Sequence, residues 1–254
     1  PREYMVYTRI GYGGFDNGTL VSKPYYSVKV EPGLVYSFKV TAVNRGGESF
    51  PSEILSVYKA KREQGKVIII NGFDRISGPA VINTPDKAGF DLEQDPGVPY
   101  LSNISFCGAQ SGFNRSQAGK EGEGSLGHSG RELEGMEIAG NTFDYPFIHG
   151  KAIQAAGKYS FVSCSDEAVE NGIVTLEDYP IVDYILGLEK EDPIAKAYYK
   201  TFSSPMQRLI TSYCQSGGHL FVSGAYVGSD MSGTQGNREF TEKVLKYGYQ
   251  NSLT

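Results

Sequence analysis

Residues able to bind or move protons gather in this sequence just after short apolar runs, where the strands of an α/β sheet end. Val67-Ile68-Ile69-Ile70 is followed by Asn71-Gly72-Phe73-Asp74-Arg75. An Asp74–Arg75 pair at such an edge can bind or orient a polar ligand through charge-assisted hydrogen bonds; its other use is to steady its own loop. Glu189 follows a later apolar run and can complete the cluster. His149 lies on a segment with helical spacing and can face the same cleft as a proton carrier, the alternative being a histidine satisfied within the fold. Catalytic candidates are therefore Asp74, Arg75, His149 and Glu189. Asn71, Gly72, Ser165, Ser223 and Tyr226, at or near strand ends, are candidate ligand-binding positions.

Other reactive side chains carry weaker patterns. His128, His149 and His219 are too scattered for metal-ligand spacing, so neither a metal nor a cofactor is expected. Gly127-His128-Ser129-Gly130 lacks one residue of the Gly-x-Ser-x-Gly elbow and has no strand before it. A serine esterase or amidase using Ser129 or Ser165 would need a histidine within hydrogen-bond reach. Cys107, Cys164 and Cys214 are odd in number and form no C-x-x-C pair, which points to buried thiols rather than a disulfide framework or zinc site.

Composition removes whole classes of function. Lys and Arg number 24 against 29 Asp and Glu, a net charge of −5 with no long run of one sign. A nucleic-acid binder needs clustered cations to displace counterions. No stretch approaches the roughly 20 apolar residues of a membrane span.

The elements that must position these residues follow from periodicity. Val67–Ile70 is β-branched and uniformly apolar, as a parallel strand covered on both faces requires. Residues 76–106 hold four prolines and no period, and read as a long excursion. Residues 107–140 hold nine glycines and read as a functional or mobile insertion. Asp144 can cap a helix ending at Gly157. Tyr159–Cys164 and Tyr179–Leu186 read as strands, and Pro180 and Asp183 imply that the second starts late or has a partly exposed edge. Met206, Leu209, Ile210, Tyr213 and Cys214 form one apolar helix face, with Ser204 as cap, Gln207 closing a capping box, and Gly217-Gly218 as stop. His219–Ser223 reads as a buried strand and Asn237 as the cap of a last helix ending at Gly248. Strands alternating with helices predict an open, mainly parallel α/β sheet with helices on both faces. Ligands of such sheets bind at the C-terminal strand edge.

Residues 1–58 read differently. Tyr4–Tyr7, Tyr25–Val30, Tyr36–Ala42 and Ile54–Tyr58 look like antiparallel strands, Tyr36, Phe38, Val40 and Ala42 alternating with polar residues. Pro32-Gly33, Tyr36, Phe38-Lys39-Val40, Ala42-Val43-Asn44, Gly47, Ser49 and Pro51-Ser52-Glu53 resemble the second half of a fibronectin type III domain. The resemblance implies that Tyr36 is the tyrosine-corner residue. It also implies that the first strands of the sandwich lie upstream. Residues 59–66 form a charged linker, and 67–254 a second domain whose C-terminal end is expected to be incomplete.

Two further resemblances concern the second domain. Gly224-Ala225-Tyr226-Val227-Gly228 is similar to the Gly-x-Cys-x-Gly elbow of class I glutamine amidotransferases, which implies a glutamine-amidotransferase-like, flavodoxin-like domain. Tyr226 replaces the thiol, and a phenol of pKa about 10 is a poor nucleophile at neutral pH, which argues against amidotransferase activity. Asn71–Arg75, Gly140–Pro146, His149-Gly150, Ser163–Asp166, Asp183–Gly187 and Gly217-Gly218 together resemble a bacterial secreted xanthan-lyase family associated with golvesin-type domains and fibronectin type III modules. This resemblance implies a secreted, periplasmic or surface protein whose partner is a polysaccharide or cell-envelope glycan. Polysaccharide lyases abstract a proton α to a uronic carboxyl with a Tyr or His base, usually on α/α-barrel or β-helix scaffolds. A non-catalytic carbohydrate- or protein-binding scaffold is the alternative reading.

Overall fold

The computed structural model describes residues 3–48, 51–73, 80–91, 113–114, 144–191 and 200–251. By contacts the chain forms two units: residues 1–74, 143–191 and 198–254 in one, residues 75–142 and 192–197 in the other.

The larger unit opens with β1 (Glu3–Ile10), β2 (Thr19–Val21), β3 (Val35–Asn44), β4 (Gly47–Glu48) and β5 (Leu55–Tyr58), all paired antiparallel. Gly33, at φ +98, turns the chain into β3, and the Tyr36 hydroxyl accepts the Glu31 N–H at 3.3 Å. Tyr25–Val30, expected as a strand, pairs with no strand, and Tyr25, Tyr26 and Val28 are exposed. The chain passes through residues 59–64 directly into β6 (Gly65–Asn71). In the smaller unit the described residues form an antiparallel sheet of β7 (Ala80–Asn83), β8 (Lys87–Asp91) and β9 (Phe113–Asn114). A hairpin thus lies where the sequence shows only an aperiodic excursion, its turn closed by Thr84 N donating to Lys87 O at 2.8 Å.

The larger unit resumes with α1 (Tyr145–Ala156), β10 (Tyr159–Ser165), α2 (Asp166–Glu170) and β11 (Ile181–Gly187), the last beginning just after Pro180 as expected. Then come α3 (Ser204–Gln215), β12 (His219–Gly224) and α4 (Gln235–Phe240), which runs on into a π-turn over Thr241–Leu245. The strand order is β12-β11-β6-β10-β5-β3-β1-β2, with β4 on β3. Four parallel strands therefore continue into the antiparallel N-terminal strands in one mixed sheet, and the class is α/β. The parallel strands reverse winding direction between β6 and β11, the topological switch point where such sheets open a crevice.

Alternation of side chains gives the parallel strands two unlike faces. Ile68, Ile70, Val182, Tyr184 and Leu186 pack with Met206, Ile210 and Tyr213 of α3 and with Phe202 and Phe240. Val67, Ile69, Phe161 and Ile185 pack with Phe147 of α1. Gly150 is what lets α1 approach so closely: a Cβ there would stand 2.2 Å from the Phe161 ring.

A polar row crosses the sheet beneath α1. The Arg9 guanidinium makes two 2.8 Å contacts with the Asp144 carboxylate and donates to Ser37 Oγ at 3.1 Å. Ser37 Oγ meets Ser56 Oγ at 2.8 Å, and Ser163 Oγ both accepts the Ser56 N–H and donates to Ser56 O, each at 2.7 Å. Backbone pairing between β5 and β10 is confined to Tyr58 and Phe161, so serine side chains complete the seam. Asp144 spends its carboxylate on Arg9 and makes no side-chain cap, contrary to the expected role.

Other end caps also shift. Ser203, in extended conformation, caps α3 by accepting the Met206 N–H at 3.2 Å; Ser204 is already helical. Gln207 closes no capping box: with Ser203 as the cap, Met206 takes the third helical position, and Gln207 Nε2 donates to Phe202 O and Asn237 Oδ1. Gly217, at φ +90, ends α3 as expected, with Gly218 N bonded to Tyr213 O and Gly217 N to Cys214 O. Thr234, not Asn237, caps α4, and Lys246 in left-handed conformation ends the π-turn before Gly248. β12 is an edge strand rather than a buried one, with Phe221 59% exposed.

Candidate functional site

The parallel register sets Ser165 opposite Asn71, Asn71 opposite Ile185 and Ile185 opposite Ser223. Three of the sequence-predicted binding residues, Asn71, Ser165 and Ser223, thus share one row at the C-terminal edge. By alternation that row faces the α1 side, since Val67, Ile69 and Ile185 pack there. One row below, Ser163 stands opposite Ile69 and Ile69 opposite Asp183. Asp183 and Asn71 are diagonal neighbours on the same face.

His149 comes from α1 onto this face, its Nδ1 2.8 Å from Asp183 Oδ2. A carboxylate at Nδ1 fixes ring orientation and tautomer, leaving Nε2 as the proton acceptor. The imidazole keeps about a quarter of its side-chain surface exposed, while Asp183 is 8% and Asn71 4% exposed. Asp183 Oδ1 and Asn71 Oδ1 are buried with no hydrogen-bond partner among the described residues. Each such orphan costs about 1–3 kcal/mol, a local penalty that folds tend to accept at functional sites.

Glu189 does not join His149. It is 2% exposed, its N–H donates to Leu186 O at 2.7 Å, and its carbonyl accepts the Thr201 hydroxyl at 2.9 Å. Its charge acts on Tyr184, a residue of the α3 face. Burial first, then the Asp166 carboxylate, push the Tyr184 phenol well above its ordinary range; its hydroxyl donates to Asp166 Oδ2 at 3.2 Å. Gly72 also serves that face, because a Cβ would stand 2.5 Å from the Tyr184 ring. Asp74 and Arg75 lie outside the described residues, as do Ser129, His128 and Cys107.

Tyr226 sits in a run of turns after β12, with Lys190 Nζ 4.8 Å from its ring centroid. Ala225 N donates to Gly187 O at 2.8 Å, and the next helix starts only at Gln235. Ser165 precedes α2 without capping it, and no described histidine bonds to it. Tyr145 lies beside Phe73, and burial pushes its phenol upward, so it makes a poor base at neutral pH. Among the described residues, no group of three His, Cys, Asp or Glu could hold a metal ion, and no helix is long and apolar enough to cross a membrane.

Asp183 is the residue that periodicity undervalued. Its signal is a carboxylate inside an otherwise apolar strand, Ile181-Val182-Asp183-Tyr184-Ile185-Leu186, a pattern that by strand rules alone marks a late start or an exposed edge. In comparisons with known proteins, no family model, no curated protein and no solved structure matches the chain.

Proposed function

We propose that the chain is a glycan-processing module of a secreted, periplasmic or cell-surface protein, in which His149, held by Asp183, is the base of a proton-transfer step. The 2.8 Å His149–Asp183 pair carries this reading, because Nδ1 takes the carboxylate and Nε2 makes no hydrogen bond among the described residues. The substrate class comes from the resemblance to secreted xanthan lyases, whose chemistry needs a base for the proton α to a uronic carboxyl. The buried, unpaired Asp183 Oδ1 supports a functional role for the pair, since a purely structural bridge would be better satisfied.

The same reading takes β1–β5 as a partial fibronectin type III module and β6–β12 with its helices as a glutamine-amidotransferase-like, flavodoxin-like domain. The Glu31–Tyr36 hydroxyl contact supports the first assignment and the β12-β11-β6-β10 order the second.

The test is turnover of a panel of acidic polysaccharides and peptidoglycan fragments. His149→Gln and Asp183→Asn should each lower turnover by about 10²-fold or more, the usual worth of a positioned base, with melting temperatures close to wild type. Undiminished turnover in His149→Gln would sink the proposal, and saturable binding without turnover by wild type would favour the scaffold reading.

A further inference from the structure

We propose that the cavity beside the loop leaving β12 is a saccharide-binding subsite separate from His149. The cavity, of about 520 Å³, lies among the β12–α4 loop, the start of α3 and Lys200. That volume falls within the roughly 300–1,000 Å³ of small-molecule sites. The choice of glycan rests on the function proposed above; the chemistry of the walls does not.

Among the described residues Lys200 is the cation of the cavity, and its N–H groups are committed. Nζ donates to Glu191 Oε2 at 2.8 Å, to Asp230 O at 2.7 Å and to Asp230 Oδ1 at 3.1 Å. Asp230 is equally engaged, with Oδ2 accepting the Thr201 N–H at 3.0 Å and Oδ1 accepting the Glu191 N–H at 3.2 Å. The ammonium is thus spoken for, which disfavours a phosphate or sulfate ligand. The central carboxylate is compensated by Lys200 and two backbone N–H groups.

Glu191, about half exposed, keeps Oε1 outside these bonds; the other open groups are neutral. Ser204, Ser229, Asn237 and Gln207 line the cavity, and Ser204 Oγ, Ser229 Oγ, Asn237 Nδ2 and Gln207 Oε1 make no hydrogen bond among the described residues. Hydroxyls donate and accept, the Asn237 amide nitrogen donates, and the Gln207 carbonyl accepts. Sugar hydroxyls, each donor and acceptor at once, match that mixture. The Gln207 Nε2–Asn237 Oδ1 contact, at 3.2 Å, ties the two amides together at the cavity wall.

Calorimetric titration of the full chain with cellotetraose, chitotetraose and a uronate-bearing xanthan oligosaccharide tests the site, with inorganic phosphate as control. At least one saccharide should bind saturably, and Asn237→Ala and Ser204→Ala should each weaken it by about tenfold, or 1.4 kcal/mol. Ser204 has no partner to lose, so this second variant covers the case in which Asn237→Ala fails to fold. His149→Gln should leave the affinity within about twofold of wild type. Saccharide binding undiminished in Ser204→Ala and in folded Asn237→Ala would overturn the subsite. So would the absence of saturable saccharide binding, or phosphate binding with the same dependence on the two variants. Saccharide binding lost in Asn237→Ala, with turnover intact in His149→Gln, would instead remove the base and keep the subsite.

Discussion

On the α3 side of the parallel strands, Ile68, Ile70, Val182, Tyr184 and Leu186 meet Met206, Ile210 and Tyr213 in an apolar layer. On the α1 side the same strands present Ser163, Ser165, Asn71 and Asp183 between Val67, Ile69 and Ile185. Both faces belong to one sheet, so backbone geometry does not explain the difference. The α3 layer is packed well enough to hold the strands, which frees the α1 layer to carry polar groups that cost stability. Orphaned acceptors at Asn71 and Asp183 are found only on that second face among the parallel strands' described residues. Stability and candidate chemistry are thus divided between the two sides of the same strands.

The largest expected effect breaks the α3 side. Phe202 is fully buried and packs its ring against both Tyr184 and Phe240, at centroid distances of 5.8 and 5.3 Å. Phe202→Ala should cost about 3–5 kcal/mol, the usual range for deleting a buried aromatic, measured by urea denaturation. A cost below about 1 kcal/mol would mean that this layer is not what holds the strands.

A smaller effect, of opposite sign, sharpens the contrast. Asn71→Val removes a buried amide oxygen without a partner and puts a β-branched residue into a central parallel strand. Lifting an orphan penalty of about 1–3 kcal/mol should raise the melting temperature or leave it unchanged. A clear fall in melting temperature would show that Asn71 is satisfied in solution and that the two faces are less different than they look.

Much of this architecture was legible in the sequence, for a physical reason. The α3 face recurs at helical spacing and the β6 run is uniformly apolar, and these local patterns survive whatever surrounds them. The C-terminal edge was legible for the same reason, which is why Asn71, Ser165 and Ser223 fall in one row. Arg9 with Asp144, and His149 with Asp183, were not legible as pairs. Their partners lie 135 and 34 residues apart, and only strand order brings them together. Asp144 looked like a helix cap because capping is a local rule, but a distant guanidinium took its carboxylate. Phe221 looked buried because its strand is apolar; its exposure follows from β12 being an edge, which is a property of the whole sheet.

Chemical labelling gives the smallest and most local contrast between the faces. Cys164 belongs to the α3 layer, where burial first, then the Asp166 and Glu53 carboxylates, push its thiol up to about 12. Only the thiolate attacks an alkylating reagent, so at pH 8 the Cys164 thiol stays protonated and unreactive. His149, on the other face, is partly exposed and keeps Nε2 open. Site-resolved mass spectrometry of the native chain should find Cys164 unmodified by iodoacetamide at pH 8 until denaturant is added. Under native conditions diethylpyrocarbonate should acylate His149, and Asp183→Asn should change the rate because the ring loses its fixed tautomer. Labelling of Cys164 before unfolding would show that the α3 layer opens locally; a native His149 as inert as Cys164 would show that the α1 face is closed and would remove the basis for placing chemistry there.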